Sequence, residues 1–327
     1  MKCISRMKFA AMLALVSVSA LQGQMPDLAT TISRLEYREI GPALMGGRIA
    51  DLAVVESRPQ TFYLGVATGG VWKTENRGTS WTPLFDDQST SSIGDVTVHQ
   101  ANPNLLWVGT GEPQNRQSSP WGNGVYKSID AGSTWTHMGL ERTKHIARIQ
   151  IHPRDPDVVY VAAVGDLWGP NPERGVYKTT DGGDSWDRVL YVDENTGATD
   201  LVIDPSNPNT LFAATYQRRR TACCFVGGGP GSGIWRSDDA GETWSRVTGN
   251  GLPRGTMGRI ALGMTAADPN MIYAQIEVAA DREAPLSASQ REEWERLDDD
   301  DDEELPPDPQ YNGIWRSTDK GESWSFR

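Results

Sequence analysis

Short apolar runs recur along the chain in pairs, each pair split by a polar turn. They read "IADLAVVESRPQTFYLGVA" from Ile49, "IGDVTVHQANPNLLWVGTG" from Ile93, "ARIQIHPRDPDVVYVAAVG" from Ala147, "DLVIDPSNPNTLFAATYQ" from Asp200 and "IALGMTAADPNMIYAQIEV" from Ile260. Runs of four to eight residues rich in Val, Ile, Leu and Tyr are too short for ordinary helices, and a proline with asparagine or aspartate between them marks a turn. A third run follows each pair: "GVWKT", "GVYKS", "GVYKT", "GIWRS" and again "GIWRS". A fourth begins at a tryptophan a few residues later. The pattern predicts a unit of four antiparallel strands, written five times.

Between the third and fourth runs stands one repeated phrase: "KTENRGTSW" from Lys73, "KSIDAGSTW" from Lys127, "KTTDGGDSW" from Lys178, "RSDDAGETW" from Arg236 and "RSTDKGESW" from Arg316. Its acidic position is Asn76, Asp130, Asp181, Asp239 and Asp319, at spacings of 54, 51, 58 and 80 residues. A period near fifty residues marks a repeat architecture, and four-stranded units at that period are the blades of a β-propeller. The phrase itself reads as a turn. The Asp or Asn bonds nearby backbone N–H groups, the preceding Ser or Thr adds a hydroxyl, and the following Gly suits positive φ. The Trp covers the hairpin. Asn76 favours this structural role over catalysis, because an amide holds a turn but is a poor acid or base.

The spacing S/T-x-D-x-G-x-x-W resembles the Asp-box, or BNR repeat. The chain as a whole is similar to bacterial secreted proteins with a sortilin-type N-terminal propeller, on stretches such as "GPALMGGRIADLAV", "VGTGEPQNRQSSPWGNGVYKS" and "GPNPERGVYKTTDGGDSW". Such proteins are described as glycosyl hydrolase-like. The resemblance implies an all-β propeller of four-stranded antiparallel blades. Five blades are expected, at about 48–86, 93–140, 146–192, 198–249 and 258–327, in a ring left incomplete, with the fifth blade truncated at its outer edge. "YREIG" (Tyr37 to Gly41) reads as a fourth strand lacking its blade, so further C-terminal blades are expected in the parent protein.

Loop lengths distinguish the two ends of the propeller. Turns between first and second strands and between third and fourth are short. Connections between second and third strands are long: "GEPQNRQSSPWGNG", "GDLWGPNPERG", "QRRRTACCFVGGGPGSG" and the segment from Ala279 to Asn312. Function concentrates in long loops on a rigid scaffold. That face carries the candidate residues: Glu112 and Asp166 as a carboxylate pair for glycoside hydrolysis, and Arg48, Arg116, Trp121, Arg148, Trp168, Arg218 and Arg219 as ligand contacts. Asp51, Asp95, Asp200 and Arg220 are further channel-lining candidates.

Composition narrows the partners. With 31 Lys and Arg against 43 Asp and Glu, the formal charge of −12 argues against nucleic acid or an anionic membrane as a general partner. Residues 1–20 combine Lys2, Arg6 and Lys8 with the apolar run "FAAMLALVSVSAL", the pattern of a secretory signal peptide. A linker over 21–36 and a secreted or periplasmic location follow, with no integral membrane segment after cleavage. Cys223 and Cys224 are adjacent in a loop and read as two thiols without structural duty. Scattered His99, His137, His145 and His152 give no metal motif, and no cofactor is expected. The run "DDDDDEE" (Asp298 to Glu304) reads as a solvated acidic insertion within 279–312.

Three function classes remain open. The preferred one is a module binding a peptide, a protein or a glycan in and around the channel. Its alternatives are a glycoside hydrolase and a structural segment of a larger secreted protein. Resemblance to xyloglucanase-type propellers implies a carboxylate after an early second strand, but the matching position here is Thr68. "GRIA" from Gly47 only partly matches the arginine stretch of sialidases.

Overall fold

The computed structural model describes residues 48–116, 118–253, 255–278 and 312–327. The signal-like segment 1–20, the linker 21–36, the strand expected at Tyr37 to Gly41 and the acidic run from Asp298 lie outside the described residues.

Five antiparallel sheets follow one another along the chain. The first holds β1 (Ile49–Val54), β2 (Phe62–Val66), β3 (Gly70–Thr74) and β4 (Thr82–Pro83); the second β5 (Ile93–Val98), β6 (Leu106–Thr110), β7 (Val125–Ser128) and β8 (Thr136–His137). The third holds β9 (Ile146–Ile151), β10 (Val159–Ala163), β11 (Gly175–Thr179) and β12 (Asp187–Leu190). The fourth holds β13 (Thr196–Ile203), β14 (Leu211–Arg220), β15 (Phe225–Gly227), β16 (Gly233–Ser237) and β17 (Ser245–Val247), and the fifth β18 (Met257–Thr265), β19 (Asp268–Val278), β20 (Gly313–Ser317) and β21 (Ser325–Phe326). Strands pair in chain order within each sheet, except that β15 pairs only with β14. The first strands β1, β5, β9, β13 and β18 lie side by side in that order. This is the all-β propeller architecture that the repeats predict, as an incomplete ring.

No sheet has a core of its own. The buried apolar side chains form four large clusters, each between two consecutive sheets. Tyr63 and Val71 meet Ile93, Val96 and Val108; Trp107 and Val125 meet Ile146, Ile149 and Val161; Tyr160 and Val176 meet Leu201 and Leu211; Phe212 and Ile234 meet Ile260, Ile272 and Trp315. Close stacking needs small residues in the second strands. A Cβ at Gly109 would stand 2.4 Å from the Cγ2 of Ile146. Ile49 and Leu52 in β1, and Tyr273 and Ile314 in the fifth sheet, are large apolar residues left exposed. They lie on the two sheets that have a neighbour on one side only, among the described residues.

The repeated phrase builds the same turn each time. The Ser128 hydroxyl donates to Asp130 Oδ1 at 2.8 Å and accepts the Gly132 N–H at 2.8 Å. Asp130 in turn accepts the Thr134 N–H at 2.8 Å and the Thr134 hydroxyl at 2.6 Å. Equivalent bonds surround Asp181, Asp239 and Asp319. Asn76 accepts the Ser80 N–H but donates its own Nδ2 to the Ser80 hydroxyl.

The residue after the acid is left-handed in all five turns, with φ of 59° at Arg77, 59° at Ala131, 72° at Gly182, 60° at Ala240 and 57° at Lys320. This strained position has a purpose that the sequence does not announce. Its N–H donates to the first hairpin turn of the same sheet, at Gln60, Asn104, Asp157, Asn209 or Asn270. In the last four turns its carbonyl accepts a bond from the preceding sheet: Ala131 from Tyr63 at 3.4 Å, Gly182 from Lys127 at 2.9 Å, Ala240 from Tyr160 at 2.8 Å and Lys320 from Arg236 at 3.3 Å. The terminal Trp also reaches backwards in two turns. Trp135 Nε1 donates to Leu84 O and Trp186 Nε1 to Met138 O, so these rings staple sheet to sheet as well as covering their own hairpins.

At the channel, polar groups at the start of the first strands link the sheets. The β1–β2, β5–β6, β9–β10, β13–β14 and β18–β19 pairings all shift register there. Asp51 accepts the Val96 N–H at 3.2 Å, Asp95 the Ile149 N–H at 2.9 Å and Asp200 the Leu262 N–H at 2.8 Å. Each bond joins one sheet to the next. The third sheet carries Arg148 at this position, and its guanidinium reaches Asp200 at 3.0 Å, Asp95 at 3.1 Å and Asp51 at 3.4 Å. Burial pushes the Asp95 carboxyl well above the ordinary carboxylate range; Arg148 pulls it down, while Asp51 pushes it up. The charge of Asp95, ahead of Asp200 and Asp51, holds the Arg148 guanidinium protonated beyond its ordinary range.

Two expectations are corrected. Arg218 and Arg219 were expected in a loop but lie in β14, which runs to Arg220 and turns back through β15. Cys223 and Cys224 at the tip of that hairpin are joined in a vicinal disulfide, with Cα atoms 3.8 Å apart.

Ser237→Ala removes the hydroxyl that caps the buried Gly241 N–H; it is expected to cost about 1–3 kcal/mol, the penalty of a buried unmet donor. Ser237→Thr should restore it, since Thr74 and Thr179 hold this place in other turns. Chemical denaturation of both variants checks this, and equal loss in both would refute it. Hydrogen bonds led by the Thr243 hydroxyl hold the Asp239 carboxyl down at about 2, from an ordinary 3.8. Its contribution is therefore complete above pH 4 or so and lost as pH falls through about 2. The melting-temperature gap between parent and Asp239→Asn should shrink over that window, and a gap constant with pH would refute it. Arg148→Met leaves three carboxylates without their cation. Because its side chain is 34% exposed to channel water, the expected loss is discounted to about 2–4 kcal/mol. A variant within about 1 kcal/mol of the parent would show the network to be dispensable.

Candidate functional site

All second-to-third strand connections emerge at one end of the sheets, with the segments leading into the first strands. Arg48 precedes β1, Glu112 follows β6, Lys144 and His145 precede β9, Asp166 follows β10, and Arg218 to Arg220 end β14.

Glu112 is wholly buried and committed to one partner. Arg48 Nε donates to Oε1 and Arg48 Nη2 to Oε2, both at 2.6 Å, a bidentate pair. The Glu112 N–H is held by Ser92 Oγ at 3.0 Å, and Arg116 Nε stands 3.9 Å from Oε1. The hydrogen bond from Arg48 to Glu112 holds the guanidinium above its ordinary range. The first blade is thereby tied to the loop of the second. Arg116 itself is exposed.

Asp166 has a different setting. Its Oδ2 accepts from Lys144 Nζ at 2.6 Å and its Oδ1 from the Trp168 N–H at 2.9 Å. Burial alone raises its carboxyl, but these two donors outweigh it and hold the group below the ordinary range. Lys144 Nζ also stands 4.2 Å from the centre of the Trp121 ring, a cation–π contact. Trp121, Lys144, Asp166 and Trp168 thus form one connected patch. Trp121 is 57% exposed and Trp168 37%. Beneath them, Arg174 donates to the carbonyls of Val164, Asp166 and Gly169 and fixes the 165–175 loop. His145 donates from Nδ1 to Gly165 O at 2.9 Å; burial brings its imidazole down to about 4.

The arginines of β14 face another region. Arg218 is buried, donates from Nε to Asn115 Oδ1 at 2.7 Å and from Nη1 to Leu167 O at 3.4 Å, and lies 5.5 Å from the Phe225 ring centre. Asn115 also donates to the Tyr216 hydroxyl at 3.0 Å. Arg219 donates to Asn195 Oδ1. The loop after β6 therefore lies across the channel mouth, from the first sheet to the fourth, and Arg259 of β18 reaches its Pro113 carbonyl at 3.4 Å.

Glu112 is paired with Arg48 and Asp166 with Lys144, and they share no cation among the described residues. Arg148 belongs to the channel network and not to the loop face. Lys144, Asn115, Tyr216 and Arg259 were not legible as site residues. Lys144 sits in an inter-blade link whose composition resembles any charged loop, and Tyr216 and Arg259 lie in strands. No group of three or more His, Cys, Asp or Glu side chains is arranged to hold a metal ion among the described residues. No helix among them is long and apolar enough to cross a membrane.

Comparison with known proteins fits this architecture. The family model of Sortilin-Vps10 (sortilin, neurotensin receptor 3) matches residues 123–281. The xyloglucanase Xgh74A of Acetivibrio thermocellus is 23% identical over 291 residues, covering 78% of this chain and 32% of that protein. The oligoxyloglucan-reducing end-specific xyloglucanase of Emericella nidulans is 31% identical over 114 residues, 33% of this chain and 14% of that one. Among solved structures, an ancestral GH74 enzyme superimposes with a TM-score of 0.58 at 19% identity, covering 86% of this chain and 31% of its own. The GH74 enzyme of Niastella koreensis gives 0.56 at 19% identity, with 85% and 38% covered. The chain spans about a third of the length of the first of these curated relatives. In sequence it is similar to xyloglucanases, and in fold to GH74 enzymes: a glycoside hydrolase-like propeller with a sortilin-type segment.

Proposed function

We propose that the long-loop face of this propeller is a carbohydrate-binding surface, and that its ligand is a β-linked glucan chain or a decorated form of one. The observation that carries this reading is the connected patch of Trp121, Lys144, Asp166 and Trp168. Two exposed indoles offer flat apolar faces suited to the apolar faces of pyranose rings. Beside Trp121, an ionised carboxylate and an ammonium offer an acceptor and donors for sugar hydroxyls. The likeness to xyloglucanases supports a glycan over the peptide or protein ligand considered first, and supports the glycoside hydrolase alternative better than a pure binding module. A secreted or periplasmic location fits both such relatives and the signal-like start of the chain.

The geometry also divides the two carboxylates by role. Both oxygens of Glu112 are engaged by Arg48 in a buried pair, so it serves the scaffold. Asp166 is partly accessible and held ionised, the state of a base or nucleophile and not of a general acid. Of the two, Asp166 is the carboxylate suited to serve a hydrolytic step on this face.

Binding and hydrolysis should be measured separately, with xyloglucan, cello-oligosaccharides and a peptide panel. Trp121→Ala is expected to weaken glycan binding about tenfold, or ~1.4 kcal/mol, without lowering the melting temperature. If hydrolysis is seen, Asp166→Asn should abolish it and Glu112→Gln should act through stability. Binding confined to peptides, or glycan binding indifferent to Trp121, would overturn the proposal.

A further inference from the structure

The chain is acidic overall, yet the channel mouth gathers guanidinium groups that form no ion pair among the described residues, with the Glu277 carboxylate held instead on the Arg259 backbone N–H at 3.1 Å. Arg218 is 1% exposed, and its Nη2 is buried without any hydrogen-bond partner. Its other nitrogens meet only neutral acceptors, Asn115 Oδ1 and Leu167 O. Arg219 meets the amide of Asn195, Arg220 lies 5.4 Å from the Phe225 ring centre, and Arg259 meets the Pro113 carbonyl. None of these four arginines is within ion-pair distance of a carboxylate among the described residues, whereas Arg48, Arg148 and Arg236 all are.

That difference is informative. A guanidinium withdrawn from water without a counter-charge is costly, and neighbouring cations add repulsion. Burial, and secondarily the charges of Arg259 and Arg220, bring Arg218 down to about 10, so it remains cationic at neutral pH. Carboxylates pair Arg48, Arg148 and Arg236, and carbonyls alone hold Arg174; at Arg218 an amide and a carbonyl fix the guanidinium and leave Nη2 without a partner. A planar fork with one free edge suits a planar carboxylate.

We propose that the channel mouth between the Pro113–Arg116 segment and the β14–β15 hairpin is a subsite for the carboxylate of a uronate residue in a glycan, received by Arg218 and Arg259. The proposal rests on the carbohydrate reading of the long-loop face and names the class of glycan it takes: an acidic one, with neutral rings against Trp121 and Trp168 and a uronate at the arginines.

The test uses isothermal titration of the whole chain with three probes: a glucuronate-bearing β-linked oligosaccharide, the same oligosaccharide after carboxyl reduction, and a glutamate-rich heptapeptide. The acid sugar is expected to bind about tenfold tighter than its reduced form, with the ratio falling toward one in high salt and in Arg259→Gln. Arg259→Gln is the primary variant because its guanidinium anchors no other strand; Arg218→Lys, which keeps the charge and loses the fork, should also lower the ratio. Equal affinity for acid and reduced sugars overturns the subsite and leaves the carbohydrate reading standing. Binding of neither sugar overturns both. Peptide binding as tight as that of the acid sugar also overturns the proposal, in favour of a site for acidic peptides.

Discussion

Every sheet in this protein is too thin to bury its own apolar residues. A lone four-stranded sheet has two faces and no interior, so each must find its core against a neighbour. The four large apolar clusters, one at each junction between consecutive sheets, are that requirement made visible. Everything polar in the structure is arranged around it. Hydrophobic stacking has no direction, and flat sheets pressed together slide. Directional bonds at the two ends of each junction set the register.

At one end the repeated turn does this work. Its acid organises the hairpin internally, which frees the left-handed residue beside it to bond outwards. One group of that residue reaches its own sheet's first hairpin and the other reaches the preceding sheet. Strain at Ala131, Ala240 and Lys320 is the cost of aiming a peptide group in both directions. At the channel end, Asp51, Asp95 and Asp200 reach the backbone of the next sheet, and Arg148 gathers all three. The same rigid frame leaves the long loops free to differ, which is why the aromatic patch and the unneutralised arginines sit there.

The two ends treat charge in opposite ways. Around Arg148 the chain places three carboxylates to one cation, closing a structural network. Around Arg218 it places several cations, none of them in an ion pair among the described residues. Within one acidic chain this contrast separates groups that hold the fold from groups held ready for a ligand. The Arg48–Glu112 pair belongs to the first kind, although its members look catalytic when read one by one.

The all-β class, the four-strand unit and the turn at each repeat were determined by the sequence, because they depend on local periodicity and on residues at most eight apart. Asp239 and Ser237 meet in a turn whatever surrounds them. The long-loop end was also legible, since loop length is a local property. What the tertiary structure alone decided is partnership across repeats. Nothing in "GEPQNR" tells that Glu112 will meet Arg48, 64 residues away, or that Asn115 will span to Arg218 and Tyr216. Lys144 was unreadable because its meaning comes from Trp121 and Asp166 on two different loops. The β14–β15 hairpin was hidden because its residues pair only where β14 overshoots its sheet. Periodicity specifies the strands, but the identity of a side chain's partner depends on how neighbouring sheets stack, and that is fixed only when their apolar faces close together.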